Sequence, residues 1–449
     1  MAVPRFHWTK SLPVDSRDSG IGTLGGTEAR CLVAMDHKLY AGIGYWMDSE
    51  HGNPRLPGAQ ILRLDSPGSD WKVDLQLDER LTTGKRAGQR RYLAIAVLKT
   101  ITIDSDFSGK KLPNPTDIVL AGTWDLLGKL EVFSKESGHD HWADTPLGQT
   151  GGTYAEIRSF GIHRDRVTNI QRVFAGARIT GPAVASQIYS GAYDPSVPGG
   201  IRWDAKPENW LGDLANLART LKGSARVTGF AECNGKLYAT VYNVIYERQD
   251  GNKPTWKPVW TYEPKKPLEN GSSGFRGLTA VANPDGEGQV LLVSLEHNPG
   301  QIFRVDPRTW TSTREMNVTN YLEQAFGTKS GYVIAGYNDM LLYDSTNHQQ
   351  DCPVLIGIEG RAPLMKRAVN SHNPDAHYLI REPNGTYSLH EIVDPALQPK
   401  PVLISVRSLI CSPFSDDPPG AVYASGYDAN GNPAHNTAWI YRGTPESIR

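Results

Sequence analysis

The sequence predicts an all-β fold in which about eight copies of one four-stranded antiparallel sheet stand around a common axis. A five-residue apolar segment recurs along the chain, a strand-like segment follows each copy, and a tryptophan recurs in the strand after that. The first segment reads KLYAG at 38–42, IVLAG at 118–122, RVFAG at 172–176 and KLYAT at 236–240, then VLLVS at 290–294, YVIAG at 332–336, HYLIR at 377–381 and AVYAS at 421–425. The followers are QILRLD, KLEVFS, QIYSGAYD, VIYERQD, QIFRVD, MLLYDS, YSLHEIVD and AWIYRG, whose loose apolar and polar alternation suits strands buried on both faces and wet at their ends.

Trp71, Trp142, Trp203, Trp256 and Trp310 mark the outer strands. Upstream of each copy lies an inner strand: RCLVAM, RYLAIAV, RSFGIH, TGFAEC, RGLTAV, QAFG, RAVNSH and RSLICS. Four strands in fixed order, repeated, describe the blade of a β-propeller. One sheet cannot cover both its own faces, so neighbouring blades cover them. After AWIYRG the last blade lacks an outer strand, and residues 5–13, with Trp8, are the spare segment that would close the ring. If the weak copy around Tyr378–Asp394 is an insertion, seven blades result. The layout resembles kelch-like and sialidase-like propellers over nearly the whole chain, without a series of paired-glycine turns or a correctly spaced Asp-box, so no residue role transfers.

The 449 residues read as a single domain, 1–449. A formal net charge of −1 gives no overall cationic field for nucleic acid or an anionic membrane, so charge-based recognition is local. Four dispersed cysteines form no CxxC pair, which favours reduced thiols over a zinc knuckle or a disulfide framework. No stretch approaches the roughly 18 apolar residues of a membrane span, and the N-terminus lacks the apolar core of a secretory signal. A cytoplasmic protein is expected, or a secreted one if a leader has been removed. No feature of the sequence sets an oligomeric state.

Arg30, Arg91, Arg158, Arg276, Arg367 and Arg407 each stand two residues before the first large apolar residue of an inner strand, with Thr228 and Gln324 at the corresponding places of the remaining blades. Like-placed residues should ring one mouth of the axial channel. Gathered guanidiniums favour a carboxylate, sulfate or phosphate between them. The ligand implied is an anionic small molecule or an acidic oligosaccharide. The competing reading is architectural: each arginine fastens its blade to the next.

Loops after the second strands emerge on the same face and break the repeat. They supply Trp46, Trp124, Tyr337 and Tyr427 as ligand-binding candidates, and His51, Asp125, Glu296, His297, Asp339 and His435 as candidate acids and bases for lyase or hydrolase chemistry. No dedicated cofactor is implied. A divalent metal would need the histidines to converge, either His51, His297 and His435 or His163 with His372. Glu232 interrupts the fourth inner strand and reads first as a counter-charge to the arginines. Residues 205–223 read as a helical insertion, with Trp210, Leu214, Leu217 and Leu221 on one face and Gly223 at its end. The alternative to a ligand-binding mouth is a non-catalytic scaffold whose variable loops bind a protein or a glycan.

Overall fold

The computed structural model describes residues 3–12, 17–18, 22–45, 58–84, 86–149, 154–180, 185–210, 225–263, 274–296, 299–327, 333–337, 340–343, 352–360, 376–397, 403, 405–427 and 437–446. By pairing, the described strands sort into seven antiparallel sets and one separate short pair, Arg17–Asp18 with Gly22–Thr23. Sheet one contains Glu28–Met35, Lys38–Gly44, Ala59–Leu64 and Lys72–Leu77, from the axis outward. Sheet two contains Tyr92–Ser105, Lys111–Asp125, Lys129–Glu136 and Ala143–Gln149. Sheet three contains Tyr154–Arg164, Gln171–Thr180 and Ala185–Tyr193, with an outer edge split between Ile201–Trp203 and Asn209–Trp210.

Sheet four runs Val227–Cys233, Lys236–Val241, Val244–Gln249 and Thr255–Thr261, and sheet five Gly274–Ala282, Gln289–Glu296, Gln301–Val305 and Ser312–Asn317. Sheet six begins with an inner strand in two pieces, Val333–Ala335 and Leu341–Leu342, followed by Val354–Gly360, Ala376–Arg381 and Tyr387–Ile392. In sheet seven, Ser405–Cys411, Val422–Tyr427 and Ala438–Pro445 are joined on the outer edge by Phe6–Lys10, which places Trp8 opposite Gly443.

Sequence reading divides the sixth unit differently. YVIAG imitates the second-strand repeat, yet its described part lies on the axial edge of Val354–Gly360 as an inner strand. HYLIR, read as the second strand of a further unit, is the third strand of the same sheet. The QAFG segment, read as an inner strand, ends a helix, Val318–Phe326; Asn317 caps its N-terminus by accepting from Asn320 N, and Gly327 stops it at φ 65°. Gln324 therefore lies on a helix and not at the axis.

Buried side chains gather between successive sheets. Ile95, Leu98 and Val119 of sheet two pack on Val33, Tyr40 and Ile61 of sheet one. Equivalent clusters join each later sheet to the next, and one joins Tyr423 and Ile440 of sheet seven to Leu39, Ala41 and Leu62 of sheet one. The glycine that ends several copies of the repeat allows this approach. A Cβ on Gly42 would come within 2.7 Å of Ile95 Cγ2, one on Gly122 within 2.8 Å of Ile157, and one on Gly176 within 2.6 Å of Val227. In each case a β-branched residue of the next inner strand occupies the space.

Among the described residues no helix is long and apolar enough to cross a membrane. The buried thiols of Cys31 and Cys233 are both pushed up to about 12, chiefly by burial, which leaves them poor nucleophiles. Trp210 lies in the short strand Asn209–Trp210; the rest of the expected helical face lies outside the described residues.

Candidate functional site at the axis

Each inner strand breaks register at an equivalent place, opposite the end of the second-strand repeat, and that break explains which side chains reach the axis. In sheet one the ladder jumps between Ala29 and Cys31, leaving Arg30 as the extra residue of a β-bulge. The same jump brackets Arg158 in sheet three, Thr228 in sheet four, Arg407 in sheet seven and the Arg276–Gly277 pair in sheet five. The inner strand of sheet two slips at three places, and the slip before Val97, which pairs Gly122 as Cys31 pairs Gly42, brackets Ala96. In sheet six the ladder resumes at Leu341 after Ala335, so Tyr337 falls in the corresponding gap. A bulge turns its extra residue out of the pleat, and here it aims the side chains at one another.

Tyr337 is the centre of the cluster. Its hydroxyl accepts from Arg30 Nη2 at 2.8 Å and from Arg158 Nη1 at 3.0 Å. Arg407 lies 3.8 Å from the ring centroid and Arg276 4.9 Å. Burial raises the Tyr337 pKa, but the guanidiniums of Arg158, Arg30 and Arg407 outweigh it and bring the phenol down to about 8. The ring of Tyr427, fully buried, also lies 4.7 Å from the Arg407 guanidinium.

The arginines are also held by carboxylates. Glu28 contacts Arg30 Nε at 3.4 Å and binds Arg407 Nε. Glu156 binds Arg158 Nε at 2.7 Å and lies 3.5 Å from Arg178. Glu359 meets Arg407 at 2.9 Å, and Glu296 binds Arg276 Nε. Against a burial penalty, the guanidiniums of Arg158, Arg226, Arg178 and Arg30 hold the Glu156 carboxyl down to about 2. Glu296 is thus a counter-ion to Arg276. Burial pushes its carboxyl up against the pull of Arg226 and Arg158.

Arg226 differs from the rest. It stands two residues before Thr228, where sheets one and three carry Glu28 and Glu156. The residue is partly exposed, but its Nε is buried and makes no hydrogen bond, and among the described residues no carboxylate lies within ion-pair distance of it. Burial and Arg158 both pull its pKa below the ordinary arginine range, while Glu156 and Glu296 act in the other direction. The described cluster therefore holds six guanidiniums, of Arg30, Arg158, Arg178, Arg226, Arg276 and Arg407, against four carboxylates, of Glu28, Glu156, Glu296 and Glu359.

Several sequence expectations are corrected. Arg91 does not join the cluster, because the bulge of its sheet that corresponds to the others falls at Ala96. It is held instead by Asp125 at 2.7 Å, Glu131 at 2.7 Å and Glu79 at 2.7 Å. Asp125, expected as an acid or base, is the buried partner of that arginine and also accepts from Leu127 N. Trp124 packs against Tyr154 with centroids 5.8 Å apart, and Tyr154 accepts from Arg178. Glu232 is not a counter-charge to the arginines: it is exposed at the far end of its inner strand and contacts His163 Nδ1 at 2.8 Å, while Asp250 contacts Nε2 at 3.2 Å.

Arg367, His51, Trp46, His297, Asp339, His372 and His435 lie outside the described residues. Among the described residues no group of three metal-ligating side chains converges. Sequence reading missed Glu28, Glu156, Glu359, Arg178 and Arg226. The available signal was E-x-R, present at Glu28–Arg30 and Glu156–Arg158, with Arg226 taking the glutamate's place in the fourth unit.

Radial sheets with inner strands converging on one axis make this a β-propeller-type protein. No family model matches the sequence, and no curated protein matches it. Among solved structures it is similar to YCF48 from Cyanidioschyzon merolae, with 11% identity over 98% of this chain and 100% of that one and a TM-score of 0.45. It is also similar to Trypanosoma rangeli sialidase in complex with sialic acid, with 9% identity, 99% of this chain, 59% of that chain and a TM-score of 0.42. A third similar structure is AofleA from Arthrobotrys oligospora, with 11% identity, 85% of this chain, 94% of that chain and a TM-score of 0.39.

Proposed function

We propose that the seven sheets close into one ring, with Phe6–Lys10 completing the last, and that the arginine end of its axis binds the carboxylate of a small anionic molecule, acidic sugars included. The observation that carries this reading is Arg226, a partly exposed residue whose buried Nε makes no hydrogen bond and whose guanidinium has no ion-pair partner among the described residues, beside a cluster in which cations already outnumber anions. A planar guanidinium offers a carboxylate two parallel donors, and a partly desolvated site strengthens that bond. The bound anion would also relieve the repulsion between Arg226 and Arg158.

The same cluster supports a second reading, in which the arginines only fasten sheet to sheet. Arg407 bonded to Glu28 of sheet one and Glu359 of sheet six favours it. The acids expected to catalyse, Glu296 and Asp125, are each bound to an arginine, so the proposal is a binding site; lyase or hydrolase chemistry would fall to His51, His297, Asp339 and His435. Calorimetric titration with citrate separates the readings. Arg226→Ala should weaken citrate binding by about tenfold or more while leaving thermal unfolding unchanged. Absence of citrate binding in the native protein, or equal affinity in the variant, leaves only the fastening role.

A further inference from the structure

Beyond the arginines, the axis changes character. A cavity of about 250 Å³ lies between the inner strands, and all seven sheets line it, from Leu32 in the first through Val97, Phe160, Phe230, Leu278 and Leu341 to Leu409 in the last. Its floor is made by small residues that directly follow the bulge positions: Cys31, Ser159, Gly229 and Ser408, all buried. Toward the opposite face Ala34, Thr100, Phe230 and Ile410 are partly exposed, so the cavity opens away from the arginine cluster.

Two properties of the lining define what fits. The side chains are mostly apolar and the charged one, Lys99, stands at the open end, so a buried net charge has no counter-charge there. Along the cavity each inner strand is laddered on one side only, to the second strand of its own sheet; the bridges between sheets, such as Gly44 with Ala94 and Glu359 with Ser405, fall at the arginine end. In an antiparallel ladder alternate backbone groups point away from the partner, and buried ones need hydrogen bonds. Some are met locally: Ser408 Oγ accepts from Leu32 N, and Ala34 O accepts from Thr100 Oγ1.

We propose that this cavity is a second ligand site, distinct from the arginine end, and that it takes a neutral bicyclic nitrogen heterocycle. The flat faces of such a ring meet the apolar side chains, and its in-plane N–H and ring nitrogen meet the strand edges. Size agrees: an apolar cavity of about 150 Å³ admits benzene, and the larger volume here admits a second fused ring. Water alone would satisfy the edges but leave the apolar walls facing it.

Benzimidazole at slightly alkaline pH is a suitable probe, measured by ligand-observed NMR and by soaking crystals. Saturable binding is expected, with density in the cavity, and with affinity reduced by about tenfold or more in Ala34→Phe and in Ile410→Trp, which fill the cavity from two sides. Thermal unfolding identifies whichever variant folds natively. Citrate affinity should be the same in that variant and the native protein, so failure at one end of the axis is distinguishable from failure at the other. No saturable binding, density elsewhere, or unchanged affinity in a natively folded filled variant overturns the proposal.

Discussion

The two ends of the axis are built from the same inner strands, a residue or two apart, and they obey different physics. At the bulge positions, side chains from sheets one, three, five, six and seven meet as Arg30, Arg158, Arg276, Tyr337 and Arg407, each held by directional bonds to groups on other strands. Beyond the bulge, the same strands present small or apolar residues that surround an open volume. A repeat therefore need not duplicate one function along its length. Where the extra residue of the ladder is an arginine, an apolar strand becomes a source of converging charge; at Ala96 and Thr228 the same bulge brings none.

The sharpest way to break this contrast is to remove one member at each end. Glu28 is fully buried and shared by Arg30 and Arg407, so Glu28→Ala takes a carboxylate from both, leaving Arg30 its bond to Tyr337 and Arg407 its bond to Glu359. Breaking a buried ion pair from one side costs about 3–5 kcal/mol. Urea denaturation should show a loss of that size, and a loss under about 1 kcal/mol would mean that the cluster rearranges freely.

Acid should then discriminate the ends. Glu156 falls to about 2 in the folded protein from an ordinary 4.5, so it binds fewer protons folded than unfolded. Its contribution is complete above pH 4.5 and disappears as pH falls through about 2, amounting to roughly 3 kcal/mol for a shift of that size. In Glu156→Gln this part of the acid dependence should be absent. At the cavity end, Leu278→Ala should cost about 2 kcal/mol, toward the low side for a buried leucine because one flank already faces open volume. That loss should not vary between pH 3 and 7, since no titrating group is involved. A pH-dependent loss would show that the two ends are coupled.

The repeated sheet was legible because its requirements are local: apolar strands, turns, a glycine where the next sheet approaches, and a tryptophan in or just before most outer strands. The division of residues 318–392 was not. There a helix with ordinary caps replaces an expected strand, and Val333–Ala335 carries second-strand lettering in an inner-strand position. At the site, convergence of Arg30, Arg158, Arg276 and Arg407 followed from their common place in the repeat. Arg91 misled because its distance to the next large apolar residue matches theirs while its bulge falls five residues later, at Ala96. Bulges leave no fixed letter in a sequence; they are set by how two ladders meet. Glu28 and Glu359 were hidden for a related reason, since both meet Arg407 on another sheet, whereas Glu156 pairs within its own sheet with Arg158 and Arg178.

The smallest expected effect on stability is also the most specific to the arginine end. Tyr337→Phe removes one hydroxyl that accepts from two guanidiniums, and near pH 7, where that phenol is largely protonated, the change should stay within about 1–2 kcal/mol. Ultraviolet titration gives the decisive readout. The native protein should lose one phenolic proton near pH 8, because the guanidiniums of Arg158, Arg30 and Arg407 outweigh burial, and the variant should lack that step. Between about pH 8 and 10 the folded state then holds fewer protons than the unfolded chain, so native stability should rise relative to the variant across that interval. Citrate bound beside Arg226 adds negative charge to the same cluster and should move the phenolic step upward. A step that stays fixed at saturating citrate would place the anion away from Tyr337, and with it detach the binding site from the bulge residues that the repeat aligns.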